Sequence, residues 1–171
     1  MKYFKPNEYV RSIYDIDLQR LQERGIKGII LDLDDTLASR HNRGSVPPKA
    51  VDWVNKMKNF GFNVCLISNA LEPSKVQIAA KTMGVPSLTV AFKPLPFSLM
   101  KALNLLDAPP KKVAMIGDQI FTDVLGGKWL GMYTILVDPI SEETFLPRKM
   151  MRWLEGLAYP RPEEPYQPYG V

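Results

Sequence analysis

Residues 28–39 read GIILDLDDTLAS and set three carboxylates, Asp32, Asp34 and Asp35, directly behind a short apolar run. Like charges a few ångströms apart repel and raise one another's pKa. Such crowding is tolerated when a cation sits between the carboxylates, or when one of them carries a proton during a reaction. A second acidic pair, Asp118 and Asp123, occurs in GDQIFTD, while LISNA and FKP supply a hydroxyl (Ser68) and an ammonium (Lys93). Hard oxygen ligands in small number suit Mg²⁺, which keeps several waters and shares its shell with a phosphate. A carboxylate can attack phosphorus to give an aspartyl-phosphate. One lysine and one serine hydroxyl can then hold the equatorial phosphoryl oxygens, where charge must be stabilised.

These residues need elements that bring them to one place. Apolar runs at Gly28–Leu33, Asn63–Ile67, Leu88–Phe92, Val113–Ile116 and Tyr133–Val137 read as strands. Helical patterns lie between them at Pro47–Phe60, Pro73–Met83, Pro96–Leu106 and Phe121–Leu130. Prolines open the first three, and Gly61 and Gly84 follow the first two, the expected start and stop signals. Ala50, Trp53, Val54, Met57 and Phe60 make one apolar face, read as core rather than as a ligand box. Strands alternating with helices through short links predict an α/β fold: a Rossmann-like central parallel sheet of about five strands, helices on both faces. Ligands of such sheets sit outside the carboxyl ends of the strands. Asp32, Ser68, Lys93 and Asp118 each fall at or just past such an end.

With these elements in place the chain resembles a known group. DLDDTL matches the DxDxT signature of the haloacid-dehalogenase (HAD) superfamily, and LISNA, FKP and GDQIFTD resemble its second, third and fourth motifs, in order and each behind a predicted strand. The resemblance covers roughly residues 26–138. It implies that Asp32 is the nucleophile and Asp34 the general acid, then base. It implies that Thr36 orders the loop around Asp34. Ser68 and the Asn69 amide would bind a phosphoryl oxygen, and Lys93 would neutralise charge on Asp32 and the phosphoryl group. Mg²⁺ would be ligated by Asp32, Asp118 and the Asp34 carbonyl, with Asp123 binding a metal water or orienting Lys93. Asp35 reads as a turn or cap residue. A phosphoacceptor receiver domain also has an acidic pair and a Lys-Pro, but there the phosphorylated Asp follows the third strand and the Lys-Pro the fifth. Here Lys93-Pro94 follows the third strand and Gly117-Asp118 the fourth.

The short connections bear on substrate. Ala38–Val46, after the first motif, is too short to hold a cap domain, and between Ser68 and Lys93 there is room for one helix and one strand. An open site suits a phosphate carried on something large. Near the end, Leu146, Met150, Trp153, Leu154 and Leu157 form a stripe at helical spacing, with Arg148, Lys149 and Arg152 off it. The stripe reads either as an interfacial helix or as one packed on the sheet. Tyr3, Phe4, Tyr9 and Tyr14, interleaved with Lys2, Lys5 and Arg11, leave the same choice. The whole pattern, including FKPNEYVRSIYDIDLQRLQERGIKG ahead of the first motif, resembles the capless HAD subfamily IIIA group that includes phosphatidylglycerophosphate phosphatases. That implies an anionic phospholipid at a membrane surface as substrate. Rival readings are a capless phosphatase acting on a phosphoprotein, a nucleic-acid end or a soluble metabolite, and a partner protein without activity. No aromatic stacking run or binding module points to nucleic acid.

Composition sets the frame. A chain of 171 residues, 46% hydrophobic and 23% charged, can bury one core. The expected division is a single domain over 1–157 and a Pro-rich tail over 158–171. The single cysteine, Cys65, in an apolar run, reads as a buried thiol in a reducing compartment. No apolar h-region opens the chain and no run approaches bilayer-spanning length, so the expected location is cytoplasmic, at most peripheral on a membrane. A formal charge of +4 reads either as favouring anionic partners or as ordinary solubility charge. His41, the only histidine, falls in a polar loop, SRHNRGSV, with Arg40 and Arg43.

Overall fold

The computed structural model describes residues 2–41, 45–69, 72–89, 94–142 and 146–162. Six strands form one wholly parallel sheet: β1 (Glu8–Val10), β2 (Gly28–Asp32), β3 (Asn63–Ile67), β4 (Ser87–Leu88), β5 (Val113–Gly117) and β6 (Tyr133–Val137), in the order β1-β6-β5-β2-β3-β4. The helices are α1 (Leu18–Glu23), α2 (Pro48–Asn59), α3 (Pro73–Met83), α4 (Pro96–Leu106), α5 (Leu125–Leu130) and α6 (Leu146–Ala158). The parallel α/β architecture is the expected one, with an extra strand. That strand, β1, is a three-residue edge piece paired to β6. It is too short to show an alternating or continuous apolar pattern.

Side chains of β2 alternate between two cores. Ile29 and Leu31 pack with Ala50, Val54 and Met57 of α2 and with Val76, Ala79 and Met83 of α3. Ile30 joins Cys65, Met115 and the Leu99, Ala102, Leu103 and Leu106 face of α4 on the other side. Both faces of a parallel sheet are thus covered, which is why its strands read as continuous apolar runs. Cys65 is fully buried and unbridged, and burial pushes its thiol up to about 12.

Two predicted elements differ in form. The helix expected over Phe121–Leu130 begins instead as a π-helical turn, Ile120–Val124, and becomes α-helical only in α5. The strand expected over Leu88–Phe92 pairs at Ser87 and Leu88, while residues 90–93 lie outside the described residues. From β2 the chain steps to β3 and β4 on one side, then returns to β5 and β6 on the other. The reversal opens a crevice between the carboxyl ends of β2 and β5, the usual ligand position in such sheets.

Candidate active site

The crevice holds the acidic residues. Asp32 ends β2, Asp118 follows β5, and Asp123 lies in the π-helical turn; all three are buried, and their carboxylate oxygens gather within 4.8 Å of one another. Gly117 makes room for this. A Cβ at that position would fall on the Asp123 carboxylate. The widened turn lets Asp123 fold back to accept a hydrogen bond from the Gln119 amide (3.1 Å), consistent with π-helical turns marking functional positions. The Thr36 hydroxyl sits between the two strand ends, 3.4 Å from Asp32 Oδ2 and 3.5 Å from Asp118 Oδ1. It therefore ties Asp32 to Asp118, whereas the resemblance assigns it to the loop around Asp34. Burial, with Asp123 and Asp35 nearby, pushes Asp118 up to about 6 despite the opposing Arg152. Three buried carboxylates with converging hard oxygens fit a small divalent cation such as Mg²⁺.

Asp34 turns away from that group. Its Oδ2 accepts from the Ser68 hydroxyl (2.9 Å) and its Oδ1 from Lys75 Nζ (2.5 Å), which also donates to the Arg40 carbonyl (2.7 Å). Lys75 is buried, though it stands on the otherwise ordinary first turn of α3. Ser68 is fully buried just past β3, and Asn69 beside it is exposed. Lys93 lies outside the described residues. Asp35 has the structural role expected: it takes a left-handed conformation (φ 61°) that Asp tolerates better than most residues. Fully buried, it forms an ion pair with Arg40 and accepts from the Arg40 amide (3.2 Å). His41 is exposed and lines a groove of about 540 Å³ with Arg40, Glu72, Ser74, Lys75 and Ile78.

The sequence reading missed the inner face of α6. Arg152 makes an ion pair with the Asp118 carboxylate, and its Nη1 donates to the Asp118 carbonyl (2.6 Å). Arg161, from the segment after the helix, donates to the same carbonyl (3.0 Å) and pairs with Asp138 (3.1 Å). Buried Glu155 accepts from the Phe121 amide at the mouth of the π-helical turn (3.1 Å), and burial raises its pKa. Arg152 was expected on a basic face turned to a surface; it points into the site instead. The apolar stripe faces solvent, so α6 does not pack its stripe on the sheet. The side chain of Arg148 lies outside the described residues. The only sequence signal for these inward contacts was the placement of Arg152 and Glu155 off the stripe.

The comparisons agree with the geometry. The family model described as mitochondrial PGP phosphatase matches residues 1–141. A Bacillus subtilis protein named "Probable phosphatase YqeG" is 37% identical over 148 residues, covering 86% of this chain and 85% of its own. Phosphatidylglycerophosphate phosphatase 1 of Arabidopsis thaliana is 25% identical over 160 residues, covering 88% of this chain and 46% of its own. The chain spans about half the length of that relative and of a similarly named algal protein from Chlamydomonas reinhardtii. Among solved structures, the cobalt-bound deoxy-D-mannose-octulosonate 8-phosphate phosphatase of Haemophilus influenzae superposes with a TM-score of 0.54 at 13% identity, covering 78% of this chain and 87% of that one. A HAD superfamily (subfamily III A) hydrolase from Legionella pneumophila gives 0.52 at 19% identity and 69% coverage of each. The fold is that of the HAD phosphatases.

Proposed function

This chain belongs to the mitochondrial PGP phosphatase family and is a HAD-type phosphatase, and from that premise we propose that it is a Mg²⁺-dependent phosphomonoester hydrolase acting on phosphatidylglycerophosphate through an aspartyl-phosphate at Asp32. The observation that carries this reading is the division of labour on one loop. Asp32 is buried against Asp118 and Asp123, while Asp34, two residues on, is turned to Ser68 and Lys75.

Asp32, Asp118 and Asp123, with the Asp34 carbonyl, would hold Mg²⁺, which supplies positive charge against the acidic group and the phosphoryl oxygens. An Asp32 oxygen attacks phosphorus, and the bond from phosphorus to the glycerol oxygen breaks. Asp34, in its acid form, gives a proton to that leaving oxygen. Asp34 then takes a proton from water as the water oxygen attacks the same phosphorus, releasing inorganic phosphate and restoring Asp32. Ser68 and the Asn69 amide hold a phosphoryl oxygen throughout, and Lys93 neutralises charge beside Asp32, as the resemblance assigns. Thr36 fixes Asp32 relative to Asp118, and Lys75 fixes Asp34.

The openness of the site supports this substrate class. Only residues 33–47 separate β2 from α2, so nothing of domain size covers the crevice from that side. An uncapped site gains little by enclosing a small metabolite and suits a phosphate presented at a surface. Phosphate release in Mg²⁺ from phosphatidylglycerophosphate, phosphopeptides, a 5′-phosphorylated oligonucleotide and sugar phosphates tests the assignment. The lipid should give the highest kcat/KM; preference for any soluble substrate contradicts it.

A further inference from the structure

α6 is amphipathic with its polarity turned inside out relative to a packed helix. Leu146, Met150, Trp153 and Leu157, at i, i+4, i+7 and i+11, are 60 to 78% exposed, and Leu154 lies beside them, also exposed. At 100° per residue the inward residues Arg152, Glu155 and Tyr159 fall on the opposite side. Their contacts fix the helix this way round: Arg152 on Asp118, Glu155 on the Phe121 amide, and Tyr159 against the cluster of Tyr9, Ile120, Val124 and Leu136 with Phe4 and Phe121. Turning the stripe inward would break all three, so its exposure is a property of the fold.

The surroundings say what the stripe meets. Arg152 places the helix across the carboxyl end of β5, so the stripe lies on the same edge as the acidic crevice. Leu95 and Phe97 at the start of α4 and Ile140 after β6 add exposed apolar side chains to that edge. Lys149 is exposed and flanks the stripe. Where the helix ends, Ala158 and Tyr159 border a groove of about 600 Å³ shared with Lys2, Lys5, Pro6, Asn7 and Lys128. Partial burial, then Lys2 and Lys5, lower the Lys128 pKa, a sign of positive potential in that groove. Long apolar side chains with a tryptophan, next to a basic groove, match the interface of an anionic bilayer, where acyl chains take the first and headgroup phosphates the second.

We propose that the outer face of α6, with the lysine groove at its far end beside the start of β6, forms a docking surface for an anionic lipid bilayer, so that α6 lies along the headgroup layer and the crevice opens beside it. The proposal rests on the assignment of a phospholipid substrate, and it names the surface that would deliver it.

The test uses the full chain carrying Trp129→Phe, which leaves Trp153 as the exposed tryptophan, since Trp53 is buried. Vesicles of phosphatidylglycerol and phosphatidylcholine with brominated acyl chains should quench Trp153 fluorescence, with binding that weakens as salt rises. Pure phosphatidylcholine vesicles should bind about tenfold more weakly or worse. Adding Leu146→Ser with Met150→Ser should weaken binding about tenfold. Lys2→Gln with Lys5→Gln should reduce binding to anionic vesicles and leave the residual binding to phosphatidylcholine unchanged. Absence of binding at low salt, binding with Trp153 unquenched, or binding indifferent to the stripe variant overturns the proposal. So does a dimer, seen by sedimentation, that the stripe variant dissolves while vesicles go unbound, because the occupant is then a second copy. Vesicle docking is read without any phosphate ester, and phosphate release from detergent-dispersed phosphatidylglycerophosphate tests the substrate separately. Release without docking overturns only the docking surface, whereas docking without release overturns only the substrate.

Discussion

Asp32 and Asp34 lie two residues apart on one loop, yet the fold gives them opposite company. Asp32 shares a buried cluster with Asp118 and Asp123, where like charges crowd and Asp118 is pushed up to about 6. Asp34 is held between a hydroxyl and a buried ammonium. Alternation along an extended segment sends residues i and i+2 toward the same side, so the chain must leave the extended form between them. Asp35 then turns the chain just past Asp34 in its left-handed conformation, paired with Arg40. In the proposed mechanism the first region holds the cation and the nucleophile and the second the proton carrier, and Asp35 fixes the turn that follows Asp34.

Breaking the first region should cost most. Asp32→Asn keeps the shape but removes the attacking carboxylate, and kcat should fall by about a thousandfold or more. Phosphate release under saturating substrate checks this. Residual activity above a few per cent would mean the nucleophile lies elsewhere. Asp34→Asn should lower kcat by about 10² to 10⁴, and the first phosphoryl transfer, read in single turnover, should slow far less with p-nitrophenyl phosphate, whose leaving group needs no proton, than with the lipid. Equal losses in that first step on both substrates would deny Asp34 the acid role.

The second region is sharpened by Lys75, the residue the sequence hid. Lys75→Met should reduce kcat by about tenfold with KM little changed, and Lys75→Arg should recover part of it, because the lysine positions Asp34 without touching substrate. A rise in KM alone would make Lys75 a substrate-binding residue. Its inaccessibility to sequence reading has a plain cause. A lysine in the first turn of an amphipathic helix reads as solvated, and only the tertiary placement of α3 beside the DxDxT loop buries it. Arg152 was hidden for a related reason. Helical periodicity separates one face from another without saying which faces inward, and in α6 the polar face does. By contrast the parallel sheet, the Pro-opened helices and the placement of Asp32, Ser68 and Asp118 at strand ends were legible, because each depends on local patterns: continuous apolar runs, Pro and Gly punctuation, and polar residues directly behind the runs. The π-helical turn was not legible, since it differs from an α-helix by one residue per turn and here follows from the need to aim Asp123.

The smallest effects concern the charge balance of the acidic region. Removing the Arg152 guanidinium leaves the cluster more negative, so Arg152→Gln should tighten Mg²⁺ binding about threefold by calorimetry. Weaker binding would show that Arg152 helps assemble the site. Asp118 is raised to about 6 in the folded chain and burial moves Glu155 in the same direction, so folded protein binds more protons than unfolded above the ordinary carboxylate range, up to pH about 6 for Asp118. Their contribution to stability therefore grows as pH falls through that window and is lost as pH rises through it. In chelator, the Tm should be higher at pH 5 than at pH 7, and Mg²⁺ affinity should drop below about pH 6 as protons compete at Asp118. A Tm that falls on acidification would contradict this balance.

The contrast between the two carboxylates predicts where phosphorus goes. Acid-quenching the enzyme during turnover of phosphatidylglycerophosphate, with peptide mapping by mass spectrometry, should find one phosphoryl group on Asp32, accumulating further in Asp34→Asn because its hydrolysis is slowed. A phosphoryl group on any other residue, or turnover with no phosphorylated peptide in either protein, would contradict the account.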